Sequence, residues 1–365
     1  MERKGINPMK NTVHPSSMHS LRLAGAGAAS LLIMLAGCGA QSQAAGPVRP
    51  TVIIGYQNGS DPQTVAIEQK FFQKMIHAPV ELKYFSSGPA ALTSLASGSL
   101  QFMTGMGSPP VVAAINKGVP LKIVWVQDRY VTAEGLVVKD SANITGLSQL
   151  SGRTVALVDG SSSPWQLDTA LQTHHIPVSA VHIDDTAPAN MVAAWKTGQI
   201  DAAYVWSPFL NDMQADGGHI LIYDQNQVNS APMFTYAVVN ASFASKYPKL
   251  VEDFVKAEAQ GVTYYDSHPS QSYQDMATLN GISAAAAKTQ AAELRFTPLS
   301  EEVTSRRMGT AATVSSSLVA TSLHSAANWL KATGQINAVP PHLDSYIAPQ
   351  FCQDALGSHA KTQEG

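Results

Sequence analysis

The chain has 365 residues, with 23 Lys and Arg against 26 Asp and Glu, a formal net charge of −3. Charged residues make up 13%, about half the ordinary share of roughly 25%, and hydrophobic residues reach 45%. Such a chain is a poor electrostatic partner for nucleic acid, and its apolar content excludes global disorder. Two cysteines exclude a disulfide scaffold and a zinc site built on several thiolates.

The N-terminus reads as a secretion signal. Arg3, Lys4, Lys10 and Arg22 form a basic region, and Leu21 through Ala36 is nearly free of polar residues. That stretch is too short for a comfortable membrane span of ~20 apolar residues. It ends in Leu35-Ala36-Gly37-Cys38, which resembles a bacterial lipobox. Residues 1–37 are then a lipoprotein signal peptide and Cys38 the lipidated first residue of the mature chain. The other reading is an ordinary signal peptide with Cys38 incidental. Residues 38–49 form a flexible tether. Removing four basic residues and one acid leaves 19 basic and 25 acidic residues, a net of −6.

Strands and helices then alternate. Thr51–Tyr56 is a β-branched strand closed by Gln57-Asn58-Gly59-Ser60-Asp61-Pro62. A helix follows at 64–76, a strand at 80–85, a helix at 88–96 stopped by Gly98, and a strand at 100–103. The pattern continues with a helix at 110–116 and strands at 121–126 and 135–138. A second set has strands at 153–158, 181–183, 202–205, 220–223 and 236–239. Its helices run over 163–174 and 188–197, with another from Ser207 to Gln214 that has Pro208 in its first turn. After 240 the pattern is helical over 249–266, 284–294 and 301–332, and the tail 352–365 reads as polar and loose.

This order predicts an α/β fold with parallel sheets covered on both faces. It divides into one lobe of 50–136 plus 240–351 and a second lobe of 137–239. The chain crosses between lobes near 135 and near 238, and ligands bind beyond the strand ends in the cleft between.

The strand ends carry the candidate chemistry. Gln57 and Asp61 follow the first strand, Ser108 the third, Ser161, Ser162 and Ser163 the strand at 153–158, and Trp206 the strand at 202–205. Small polar loops running into helix N-termini offer N–H groups and hydroxyls to an anion. The plainer reading is ordinary N-capping. Trp165 and Trp206 are the aromatic residues placed to wall a ligand; Trp125 and Trp195 are assigned to the core.

At these positions the chain resembles the taurine-type solute-binding proteins of ABC importers. Tyr56–Pro62 is similar to their Y-Q-x-x-x-[ED]-P, Phe85-Ser86-Ser87-Gly88 to F-x-S-G, and Gly107-Ser108-Pro109-Pro110 to G-S-S-P. Glu134–Val138 resembles E-A-L-V-V, and Asp201–Pro208 resembles D-A-A-Y-V-W-x-P. Ala231-Pro232 stands where they carry A-P-T. The likeness runs in order over about 50–351. It implies a two-lobed periplasmic-binding-protein fold of class II type with two hinge crossovers. It implies a monomeric extracytoplasmic lipoprotein that captures taurine or a related small alkanesulfonate. Its partners would be an ABC permease with its ATPase, and the membrane through lipid on Cys38. A ligand-presenting sensor, or a receptor for another oxyanion or amine-free sulfonate, is the alternative.

The departures bear on the ligand. Pro109 replaces a hydroxyl of G-S-S-P. Thr235 stands where the taurine pattern A-P-T-x-D has a carboxylate, so the amine end looks weakened, with Asp61 and Glu134 left as ammonium partners. Glu134 reads equally as a solvated or hinge residue, and Asp201 as structural. A desulfinase of this architecture needs a cleft cysteine. Cys38 lies on the tether and Cys352 near the C-terminus, so the chain reads as a binder, not an enzyme. No cofactor, metal or nucleic acid is expected.

Overall fold

The computed structural model describes residues 49–227 and 233–363. The expected signal segment, Cys38 with residues 38–48 of the expected tether, and the Ala231-Pro232 pair lie outside the described residues. In chain order the first elements are β1 (Val52–Tyr56), α1 (Pro62–Glu68), α2 (Phe71–Met75), β2 (Val80–Tyr84), α3 (Gly88–Ser97) and β3 (Phe102–Gly107). Next come α4 (Ser108–Asn116), β4 (Leu121–Tyr130), β5 (Glu134–Lys139), β6 (Thr154–Leu157), α5 (Ser163–Thr173) and β7 (His182–Asp185). They are followed by α6 (Pro188–Lys196), β8 (Ala202–Trp206), α7 (Phe209–Ala215), β9 (Gly218–Tyr223) and β10 (Phe234–Asn240). The remainder is α8 (Ala241–Lys246), α9 (Pro248–Ser267), α10 (Pro269–Asn280), α11 (Ala284–Ala292), β11 (Leu294–Arg295), α12 (Leu299–Glu302), α13 (Leu318–Ala332) and α14 (Gln350–Gln363).

The strands form two sheets. The six-stranded sheet has the order β11-β4-β10-β3-β1-β2, and the five-stranded sheet β7-β6-β8-β5-β9. Neither is purely parallel, contrary to the expectation from alternation. Strand β10 runs antiparallel to β3 and β4, and β5 runs antiparallel to β8 and β9. These are the strands that enter and leave the crossovers. The chain passes from sheet to sheet at 131–133 and again between β9 and β10. Strand β10 therefore belongs to the six-stranded sheet, whereas a boundary at 239 would leave it in the second lobe. Backbone N–H groups of Val131 and Thr132 donate to the Glu293 carbonyl at 3.0 and 3.1 Å. The Glu293 carboxylate accepts from Ser207 Oγ at 2.5 Å and Asn211 Nδ2 at 2.7 Å. The first crossover is thus fastened to both halves.

Side-chain alternation explains the layers. Along β5, Leu136 and Val138 pack with Val155, Leu157 and Tyr204 on one face, while Val137 packs with Met191, Trp195 and Val205 on the other. The six-stranded sheet buries Val52, Ile54, Phe102 and Trp125, and Phe102 stacks on Phe254 of α9 at 4.1 Å.

Local chemistry sets the helix ends. Asp61 Oδ1 accepts from the Thr64 N–H at 2.8 Å, and Pro62 opens α1. The helix expected over 64–76 divides because Lys70 takes a left-handed φ of 58°. The helix expected over 301–332 divides too. Glu302 turns inward to accept from the Val126 N–H at 3.1 Å and from Thr297 Oγ1 at 3.0 Å. Ser317 then caps α13. Pro208 precedes α7 instead of lying within it. Helix α10 was missed because its surface is polar. The C-terminal tail is no loose segment. In α14, Phe351, Cys352 and Ala355 form one buried face, and Cys352 Sγ donates to the Val124 carbonyl at 3.3 Å. Among the described residues no helix is long and apolar enough to cross a membrane.

Candidate functional site

A cavity of about 70 Å³ opens where strand ends of both sheets meet. The ends of β1, β3, β4, β8 and β10 reach it, together with the loop before α5. Of the residues singled out in the sequence, Gln57, Asp61, Ser161, Ser162, Trp206 and Thr235 line it. Gly88 and Pro89 of α3, Gly107 before α4 and Ser162 before α5 also line it. Three helix N-termini therefore face one space, an arrangement that favours negative charge.

Ser108, Glu134, Ser163 and Trp165 are not among the lining residues. Ser108 Oγ is buried and hydrogen-bonded to Tyr236 Oη at 2.8 Å and Ser322 Oγ at 2.7 Å. Glu134 is buried beneath the cavity wall, where it accepts from Ser162 Oγ at 2.9 Å and Ser163 Oγ at 2.6 Å. Ser161 Oγ donates to the Val158 carbonyl at 2.7 Å. The serine hydroxyls thus donate into the protein and brace the loop. Trp165 is buried in the core of the six-stranded sheet, although α5 packs beside the other sheet. From the same helix, Asp168 Oδ2 accepts from Trp329 Nε1 of α13 at 2.8 Å.

The sequence reading missed the end of β4. Thr235 pairs with Asp128, and the next pair is Tyr236 with Val126. Gln127 is therefore the extra residue of a β-bulge, which re-aims side chains that alternation would send to opposite faces. Both Gln127 and Asp128 line the cavity. Thr235 Oγ1 donates to Asp128 Oδ1 at 2.7 Å. A carboxylate thus stands beside position 235 on the neighbouring strand. Burial pushes the Asp128 carboxyl up to about 7; the Thr235 bond and the charge of Arg307 oppose this, while Asp61 adds to it. Burial also raises Asp61 above the ordinary carboxylate range.

Behind these lie Glu134 and Asp224, both pushed up first by burial. Tyr204 Oη donates to Asp224 at 2.8 Å. Burial and the charges of Asp128, Glu134, Asp224 and Asp61 hold Tyr130 well above the usual phenol range, so it stays a hydroxyl. The cavity is acid-rich on one side, with apolar surface from Met233, Leu294 and Trp206. Among the described residues no group of three or more His, Cys, Asp or Glu could hold a metal.

A chain of amides runs beside Asp128. Gln57 Nε2 donates to the Gly105 carbonyl at 2.8 Å. Gly105 has φ 73°, and a Cβ there would sit 2.4 Å from Gln57 Nε2, so any other residue is strained and displaces the Gln57 amide. The Gly105 N–H donates to Gln127 Oε1. Gln127 Nε2 donates to Gln63 Oε1 at 2.9 Å.

The profile of the NMT1/THI5-like family matches residues 60–272, more than half of the chain. The chain belongs to that family. This NMT1/THI5-like chain is 31% identical over 261 residues to the taurine-binding periplasmic protein of Escherichia coli (strain K12), covering 69% of itself and 78% of that protein. Its fold matches the alkanesulfonate-binding protein SsuA from Xanthomonas axonopodis pv. citri bound to MOPS. The TM-score is 0.69 at 19% identity, over 82% of this chain and 99% of that one. It also matches the desulfurization enzyme DSZB, with TM-score 0.64 at 16% identity over 85% and 100% of the two chains. The NMT1/THI5-like chain thus has the two-lobed periplasmic-binding-protein fold. At these identities the structural likenesses carry the fold alone.

Proposed function

We propose that the protein is an extracytoplasmic solute-binding lipoprotein, anchored through Cys38, that captures taurine or a related small aminoalkanesulfonate. It would deliver this ligand to an ABC permease and its ATPase. The lobes close over the ligand about the crossovers at 131–133 and between β9 and β10. The observation that carries this reading is Asp128, held by Thr235 at the cavity surface. A carboxylate in an acid-rich cavity favours a ligand bearing a cation, while the helix N-termini accept its anionic end. The similarity to a relative named for taurine supports the same class. A binder also suits the thiols, since Cys352 is buried against Val124 and does not line the cavity.

Thermal melting with taurine, ethanesulfonate, methanesulfonate, sulfate and nitrate tests the proposal. Taurine is expected to raise the melting temperature more than ethanesulfonate, which lacks the amine. If no sulfonate raises it, the sulfonate assignment fails. Equal shifts with taurine and ethanesulfonate would remove the ammonium from Asp128.

A further inference from the structure

The amide chain described above ends on an open donor. Gln63 is 4% exposed, lines the cavity, and its Nε2 has no hydrogen-bond partner among the described residues. A buried amide N–H group without a partner is costly and rare in a folded protein, so it calls for an explanation. The orientation of this amide follows from its neighbours. The Gly105 N–H can only donate, so Gln127 must turn its oxygen toward it. Gln127 then presents its NH₂ to Gln63, whose oxygen must accept. Gln63, a residue of the cavity wall, is left with its own NH₂ unpartnered among the described residues. The backbone of one strand thus dictates the polarity of a side chain two links away.

We infer that Gln63 donates a hydrogen bond to an acceptor oxygen of the bound ligand, with Gln127 as the positioning residue that keeps the amide in donor orientation. This rests on the sulfonate reading above and assigns the donor to the sulfonate end. It also accounts for an otherwise unexplained feature. The hydroxyls of Ser108, Ser161, Ser162 and Ser163 are engaged within the protein, so the anion needs a side-chain donor from elsewhere. Gln63 lies in the first turn of α1, two positions after the Asp61 cap. One short segment therefore brings both an acid and a donor to the cavity.

Calorimetric titration of the full chain with taurine and with ethanesulfonate tests this. Gln63→Glu keeps the oxygen that accepts from Gln127 but replaces the donor with an acceptor. Gln63→Met removes the amide at similar length, and serves if the first variant does not fold. Gln127→Glu accepts from the Gly105 N–H and turns the Gln63 amide, so its oxygen takes the place of the NH₂ without any change at Gln63 itself.

Each variant is expected to weaken both probes by about 10-fold or more, the range of a hydrogen bond to a charged group. For Gln63→Met the ratio of taurine to ethanesulfonate affinity stays unchanged, because the amine is held by Asp128; the two Glu variants add a negative charge, so they weaken ethanesulfonate more than taurine. Wild-type binding with Gln63→Glu and Gln63→Met both within about three-fold of it overturns the inference and leaves the sulfonate reading intact. Loss of taurine binding alone places Gln63 at the amine end and also overturns it. If the wild type binds neither probe, the sulfonate reading falls and the inference with it.

Discussion

Replacing Asp128 with Asn separates charge from shape at the cavity wall. The amide oxygen can still accept from Thr235 Oγ1, which now sits 2.7 Å from Oδ1, while the charge is gone. With the carboxyl pushed up to about 7, only its ionised fraction can pair with an ammonium. That fraction falls from about nine-tenths near pH 8 to about 3% near pH 5.5, so taurine affinity should drop roughly 30-fold across that interval. The Asn variant should show no such slope. At about pH 8 it should bind taurine more weakly by about 100- to 4,000-fold, from the ~3–5 kcal/mol that follows loss of one partner of a buried charge pair.

Stability should move the other way. The folded-state pKa lies above the unfolded value of about 3.9, so between the two the unfolded chain binds fewer protons and stability falls as pH rises. The ligand-free Asn variant should therefore melt higher than wild type near pH 8. Calorimetric titration and ligand-free melting, run as paired pH series, read both effects. A flat wild-type profile for taurine, or an Asn variant that keeps its affinity within a few-fold, would refute the assignment of the ammonium to Asp128.

Two other predictions concern the frame around the cavity. Trp329→Phe removes the donor to Asp168 and leaves that buried carboxylate without its 2.8 Å partner. The expected loss is about 1–3 kcal/mol, read as a lower denaturant midpoint, and an unchanged midpoint would deny this bridge a stabilising role. Cys352 should resist thiol reagents in the native protein, because burial raises its pKa well above the usual thiol range and no exposed thiolate forms. Labelling should appear only on unfolding; rapid native labelling at Cys352 would contradict the packing of α14.

Where the sequence was a good guide, local pattern and tertiary role agreed. Helix α5 was expected over 163–174 and runs Ser163–Thr173. Gly98 ends α3 with the positive φ of 75° expected of a C-cap glycine. The cleft position of Gln57, Asp61 and Ser162 follows from the rule of strand ends.

What was hidden needed partners from afar. The apolar run of β4 ends at Val126, yet the strand continues to Tyr130 and carries the bulge that sets both Gln127 and Asp128 in the cavity wall. A lone Asp just beyond a buried strand was the available signal. Ser108 looked like an anion donor, but its partners are Tyr236 and Ser322, more than a hundred residues away. Trp165 reads as a cleft wall only if its helix packs solely on its own sheet, and it does not. The buried face of α14 is short, and its neighbours in sequence are polar, so composition masked it.

The acid on β4 and the hydroxyl on β10 that holds it lie immediately beside the two places where the chain changes sheets. Under the proposed function, a replacement there bears on two quantities together: the grip on the solute and the resting angle between the halves. Selectivity and gating would then be one trait under mutation. Under the same proposal, a variant chosen only for tighter capture would also present the permease with a different shape. A compensating change outside the cavity lining is open at the Glu293–Asn211 contact, which helps fasten the first crossover.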